Sequence, residues 1–299
     1  MNSQKLLFKL KEKKVNNIDI QPVLLNSSLY LHLEKYLKDQ KFLEFNKIKK
    51  IIHLIFLKDR PLGFVMLNAK GKIVGFLGSI FFSRNISSIQ RECCYIHTWL
   101  VEEKYRIFAY KLILPILEQD LNISTFTPIK NLVGLYKKLD FKIFELNYKA
   151  VLSFKFKISE KKNLLIKTIN EGILSKDDYK IYKDHHNFET ENILFQDKKN
   201  PEKNCLVIGR KILKRKIIPF FNLIHISDRE IFIQNREEIL NFLKIKYKVL
   251  FFGEYYINHK ESCLDNFTLI QMMKKNTICI KNKDEKYSFN CLYSEFIVD

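Results

Sequence analysis

No stretch of this sequence approaches the run of about 18 apolar residues that a membrane-spanning helix requires, and the opening segment MNSQKLLFKLKEKK is too polar for a secretory leader. A cytoplasmic protein is expected. No C-x-x-C pair occurs either. The six cysteines (Cys93, Cys94, Cys205, Cys263, Cys279 and Cys291) are scattered, which excludes zinc-ribbon and disulfide-framework spacings and predicts reduced, mostly buried thiols. No metal is expected. Missing too are a helix-turn-helix, an RNP-like signature and any basic stripe, although the net charge is +19. Lysine, isoleucine and asparagine are all abundant, as AT-rich coding sequence gives regardless of function, and the lysines are spread along the whole chain. The charge therefore does not select nucleic acid as a partner.

What is present is enough for two globular units. The 299 residues exceed one typical domain, and 46% hydrophobic, 28% charged and 13% aromatic residues suffice to bury a core. Apolar spacing predicts a helix over Leu29 to Leu37 and another over Phe42 to Lys50. The period then changes to a strand meander at 63–68, 72–84 and 91–101, with a polar loop at Asn85 to Ser88. A turn at Glu102 to Arg106 leads into an apolar helix, Ala109 to Gln119, followed by a strand at Ile123 to Thr127. Asn131 to Leu139 places Leu132, Leu135, Tyr136 and Leu139 on one helical face. Phe141 to Glu145 and Lys149 to Phe156 read as two closing strands.

Charged stretches at Ser159 to Asn163 and Ser175 to Asp178 suggest a boundary, giving domains 1–157 and 158–299. The second half repeats the first in outline: strands at Cys205 to Lys211 and Ile217 to Ile226, a helix at Arg236 to Lys246 and a strand at Val249 to Phe252. His185, His186, Glu189 and Glu191 could be drawn as a metal cluster, but adjacent histidines point to different sides of any regular element, and a polar loop is the expectation there.

The segment VEEKYRIFAYKLIL, from Val101 to Leu114, resembles the cofactor motif of the GNAT superfamily of acyl-CoA N-acyltransferases. In that family a valine ends the fourth strand, a Tyr-Arg pair follows, and an R-x-x-G-x-G/A turn opens a helix whose N–H groups receive the coenzyme A diphosphate. Val101, Tyr105 and Arg106 match, whereas Ile107, Ala109 and Lys111 stand at the glycine positions. Ala109 is nearly as small as glycine; Ile107 and Lys111 crowd the phosphate approach, although the Lys111 ammonium could neutralise a phosphate. Pro115 cannot donate to the Lys111 carbonyl, so the helix is expected to bend or begin late. The segment NLVGLYKKLDF resembles a second family motif, with Asn131, Gly134, Tyr136 and Phe141 fitting and Asp140 replacing a glycine.

The resemblance implies an α/β fold: a mixed, mainly antiparallel sheet flanked by helices, followed by a second GNAT-like domain. That second domain is expected not to bind cofactor, since Asp228 to Arg236 lacks the phosphate turn. It implies acetyl-CoA or another acyl-CoA as co-substrate, held by Trp99, Val101, Arg106, Ile107, Phe108, Ala109, Tyr110, Lys111 and Asn131. Tyr136 would protonate the departing thiolate. His97 is the candidate base because its intrinsic pKa lies near the working pH, with Glu92 and Glu103 behind it. The expected acceptor is a small-molecule amine, such as a nucleotide-linked amino sugar for surface polysaccharide. Alternatives are a catalytically inactive binding module of the same fold, an aminoacyl transferase that uses charged tRNA, and a basic nucleic-acid-binding protein.

Overall fold

The fold is that of a computed structural model, which describes residues 18–41, 44–86, 89–126, 128–152, 163–215, 217–257, 262–265, 274–281 and 292–297. Two compact units are present, one of residues 1–144 with 277–288 and 293–299, the other of residues 145–276 with 289–292. A single cut at 157/158 does not express this interleaving, because the C-terminal part of the chain returns to the first unit.

In the first unit, β1 (Asp19–Val23), β2 (Gly63–Leu67), β3 (Ile73–Ile86), β4 (Ile89–Val101) and β5 (Asn122–Phe126) lie side by side in chain order. The strand beyond β5 is the last among the described residues, β12 (Lys274–Lys281), which belongs to this unit from Thr277 onward. Every neighbouring pair is antiparallel except β4 and β5, which are parallel. A parallel pair needs a crossover; here it is a 3-10 helix (Glu103–Leu112) and a short α-helix.

Both faces of this sheet are covered, which is why the strands read as nearly continuous apolar runs. On one face α1 (Ser28–Lys38) and α2 (Phe45–Ile52) bring Leu33, Leu37 and Ile52 against Val65, Leu67 and Phe76. On the other, the crossover with α3 (Leu114–Leu117), and α4 (Lys130–Lys138), bury Leu112, Ile116 and Tyr136 against Leu77, Cys94 and Ile96. Each such large apolar side chain contributes about 1.5–3 kcal/mol when fully buried.

The second unit contains β6 from Glu145 onward (β6 is Lys142–Leu152), β7 (Leu164–Lys167), α5 (Lys176–His185), β8 (Glu191–Asp197), β9 (Asn204–Lys214), β10 (Ile218–Ile226), α6 (Arg229–Gln234), α7 (Arg236–Tyr247) and β11 (Phe251–Ile257). Read across the sheet as β7-β8-β9-β10-β11-β6, it has the order and strand senses of the first: one parallel pair, β10 with β11, and antiparallel neighbours elsewhere. The tandem suggested by the sequence outline is visible in this shared topology.

Three local expectations are corrected. Where an apolar helix was expected over Ala109 to Gln119, the chain stays in a 3-10 helix to Leu112 and turns α-helical only from Leu114 to Leu117, with Pro115 in its first turn. The missing Pro115 N–H keeps the α-helical ladder from reaching back to Lys111. The two closing strands are one, β6, which runs on through the buried Leu146, Asn147 and Tyr148 between them. Ser153 to Phe156 lie outside the described residues. The polar loop expected around His185 is present at residues 186–190, but His185 itself is the last residue of α5, whose start is set by a reciprocal cap: the Asp178 N–H donates to Ser175 Oγ at 3.1 Å, and the Ser175 hydroxyl donates to the Asp178 carboxylate at 2.7 Å.

Candidate functional site

β4 and β5 pair only briefly, Cys93 with Asn122, Cys94 with Ile123 and Tyr95 with Ser124, and no further pair joins them among the described residues. Just past this point β4 bulges. Leu77 of β3 faces Trp99 and Gly78 faces His97, so Thr98 is the extra residue, at φ 45°. The bulge reassigns every side chain beyond it. Cys94 and Ile96 face α4, and strict alternation would send Leu100 the same way. Instead Trp99 and Val101 join that face, while Leu100 packs with α1 and α2.

His97 is directed to the face of Phe76, whose ring it meets edge-on with centroids 6.5 Å apart. It is only 6% exposed. Gly78 makes the room, since a Cβ there would stand 2.3 Å from His97 Cε1. An isolated glycine within a strand signals such a close approach, and it is the sequence feature that could have marked this pocket. Nδ1 lies 2.9 Å from Thr98 Oγ1, while Nε2 is buried with no hydrogen-bond partner among the described residues.

Burial lowers the His97 pKa to about 3, so the ring is neutral at working pH. Its folded pKa lies below the unfolded value near 6.5, so between those values the unfolded chain binds the extra proton and stability falls as pH falls. About 2 kcal/mol is expected to be lost through this residue between pH 7 and pH 5. Urea titrations at both pH values should show a smaller loss in His97→Gln than in the wild type. Equal losses would mean that His97 titrates normally.

On the opposite face, Tyr136 of α4 is buried with its hydroxyl bonded to the Thr125 side chain of β5, and burial pushes the phenol pKa up so that it keeps its proton. Its ring meets Trp99 edge-on at 5.8 Å and Phe141 at 4.9 Å. The turn after α4 holds Asp140 at φ 63°, the left-handed conformation that glycine usually supplies and that aspartate tolerates. The departure from the family motif at this position is thus accommodated by the backbone.

The 3-10 helix begins two residues after β4 ends, and no side chain among the described residues caps its N-terminus. Arg106 is exposed there and has neither ion pair nor hydrogen bond among the described residues. Ile107 is 74% exposed, so its side chain points away from the core. Phe108, Ala109, Tyr110 and Lys111 are half-buried, with the Lys111 ammonium 5.8 Å from the Phe108 ring centroid. Asn131 is exposed in the first turn of α4. Of the other candidate bases, Glu92 is taken up by an ion pair with Arg60, and Glu103 is exposed in the first turn of the 3-10 helix.

No known family model matches the sequence, and no curated protein does. Solved structures do. A GCN5-related N-acetyltransferase from Anabaena variabilis superposes with a TM-score of 0.56 at 12% identity, over 88% of this chain and 72% of that one. One from Kribbella flavida gives 0.53 at 8%, over 88% and 71%. A GCN5-related glucosamine N-acetyltransferase region of a fungal multi-domain β-N-acetylglucosaminidase gives 0.57 at 11%, over 90% of this chain and 38% of that one. The chain has the GNAT fold.

The second GNAT-like unit repeats the parting strands but not their electrostatics. β10 and β11 pair from Phe220 to Leu223, and β10 then bulges at Ile224, since Leu223 faces Gly209 and His225 faces Ile208. The helix that follows, α6, is closed by Asp228, which accepts the Ile231 N–H at 2.9 Å, and carries Glu230 in its first turn. Two carboxylates thus occupy the place where an anion would dock. Behind them Glu254 is buried, bonded to Ser262 at 2.6 Å and Arg229 at 3.3 Å.

The remaining candidates are separated. His185 is buried between the carbonyls of Ile181 and Leu292, His186 is exposed, Glu189 pairs with Arg210 and Glu191 accepts from Tyr247. Nothing gathers them into a ligand set, and no group of three metal-binding side chains occurs among the described residues. Cys93, Cys94, Cys205, Cys263 and Cys279 are buried thiols; Cys291 lies outside the described residues. No described helix is long and apolar enough to cross a membrane.

Proposed function

We propose that the protein is an acyl-CoA-dependent N-acyltransferase with one active site, at the parting of β4 and β5 in the first unit. The observation that carries this reading is the bulge at Thr98, which sends His97 to one face of the sheet and Trp99 to the face of Tyr136. The diphosphate of the cofactor would meet the uncapped N–H groups of the 3-10 helix and Arg106, with Lys111 near a phosphate. The segment Ile107 to Tyr110 would supply backbone along the way, Val101 and Trp99 would line the pantetheine arm, and Asn131 would lie at its flank.

The amine approaches from the His97 face. As its nitrogen bonds to the thioester carbon, its proton becomes acidic; burial takes His97 far below the working range expected of a base, so neutral His97 Nε2 accepts the N–H hydrogen bond while the proton passes to water. The C–S bond then breaks, and the Tyr136 hydroxyl donates to the departing sulfur. Holding the two reactants in line can supply roughly 7–11 kcal/mol in favourable cases, so no metal is called for. Acetyl is the simplest acyl group. For the acceptor, the likeness to a region named for glucosamine supports an amino sugar, including one linked to a nucleotide. The second unit would not bind cofactor.

The test is thermal unfolding with acetyl-CoA. Cofactor at 100 times its dissociation constant should stabilise the fold by about 2.7 kcal/mol. No shift at millimolar acetyl-CoA would favour an inactive module of the same fold, the reading for which Ile107 and Lys111 at the glycine positions speak.

A further inference from the structure

Trp99 carries a group that neither the packing nor the reading above uses. Its indole Nε1–H is buried and has no hydrogen-bond partner among the described residues. Leaving a buried donor unpaired is costly, and such a group in a strand beside an opening points to a partner that arrives with a ligand. The bulge at Thr98 is what places it: without the extra residue Trp99 would lie on the His97 face, and with it the indole stands on the Tyr136 face, ring centroids 5.8 Å apart.

We infer that the Trp99 indole N–H is the hydrogen-bond donor to the acyl carbonyl of the thioester. This rests on the acyl-CoA reading and adds a catalytic residue to it. When the amine nitrogen attacks, the C–N bond forms and the carbonyl electron pair moves onto oxygen. When that pair returns, the C–S bond breaks. A fixed donor at the oxygen is matched to the negative charge that appears between these two events. Two side-chain donors then serve the two atoms that gain charge, the indole the carbonyl oxygen and the Tyr136 phenol the sulfur, while His97 accepts the amine N–H from the opposite face. Burial suits the indole to this, since it carries no charge to desolvate and cannot titrate.

Trp99 is the sole tryptophan of the chain, so 15N-labelled protein gives one indole N–H resonance. Acetyl-CoA is expected to move it downfield, as hydrogen bonding to a carbonyl does, and CoA, which has the same arm but no acyl carbonyl, is not. Calorimetry supplies the second arm: the wild type should bind acetyl-CoA about five-fold more tightly than CoA, the worth of one neutral hydrogen bond. Trp99→Phe, which keeps an aromatic ring, should bind the two alike. Equal resonance shifts with both ligands, or none while calorimetry shows acetyl-CoA bound, would overturn the assignment. Absence of any binding would overturn the acyl-CoA reading itself and this inference with it.

Discussion

Tyr136→Phe is expected to lower turnover about 100-fold while leaving acetyl-CoA affinity nearly unchanged. The substitution keeps the ring that packs on Trp99 and Phe141 and removes one hydroxyl, whose partner is Thr125. The stability cost should be that of one hydrogen bond, about 1 kcal/mol, and the fold should persist. The kinetic cost should fall on the turnover number, because the donor acts on charge that appears only as the C–S bond breaks. The small end of the general-acid range applies, since a thiolate leaves tolerably well without its proton. Steady-state rates measured with an identified amine would check this, and full activity in the Phe variant would make Tyr136 a core aromatic.

Arg106→Ala is expected to weaken acetyl-CoA binding about 10-fold to 100-fold, the span of one charge-assisted hydrogen bond, about 1.5–3 kcal/mol. Arg106 is exposed and makes no ion pair or hydrogen bond among the described residues, so unfolding curves without ligand should coincide with those of the wild type. Arg210 offers the contrast. It pairs with Glu189 in the second unit, and Arg210→Ala should leave acetyl-CoA affinity unchanged. An equal effect from both would remove the asymmetry between the units.

Much of the first unit was legible because its signals are local. The expected strands at 63–68, 72–84, 91–101 and 123–127 coincide within two residues with β2 to β5, since apolar runs broken by Ala69-Lys70-Gly71 and by polar residues admit few other readings. The helix over Asn131 to Leu139 was carried by its 3.6-residue apolar spacing. What failed to show depends on distant partners. β12 is a strand because it lies beside β5, with Cys279 facing Thr125 across a separation of 154 residues, as their numbers give. β1 has four of its five residues exposed or half-exposed and is defined by pairing with β2. His185 looked like part of a polar loop because the carbonyl that satisfies its Nε2 belongs to Leu292.

At the candidate site, residue types were readable and their directions were not. Tyr105-Arg106 and Tyr136 stand out by motif, and His97 by chemistry. That His97 and Trp99, two positions apart, face opposite sides of the sheet runs against strand alternation, and only the bulge at Thr98 explains it. The same holds for the second unit. Its sequence lacks the phosphate turn, but that Asp228 caps α6 with Glu230 beside it appears only when the helix start is seen.

Calorimetric titration of the full chain with acetyl-CoA tests the central claim most directly, because it reads affinity and stoichiometry together. One site per chain is predicted, weakened by Arg106→Ala and indifferent to Arg210→Ala. Two sites per chain, or one site that survives Arg106→Ala unaltered, would contradict the placement of the cofactor at the parting of β4 and β5.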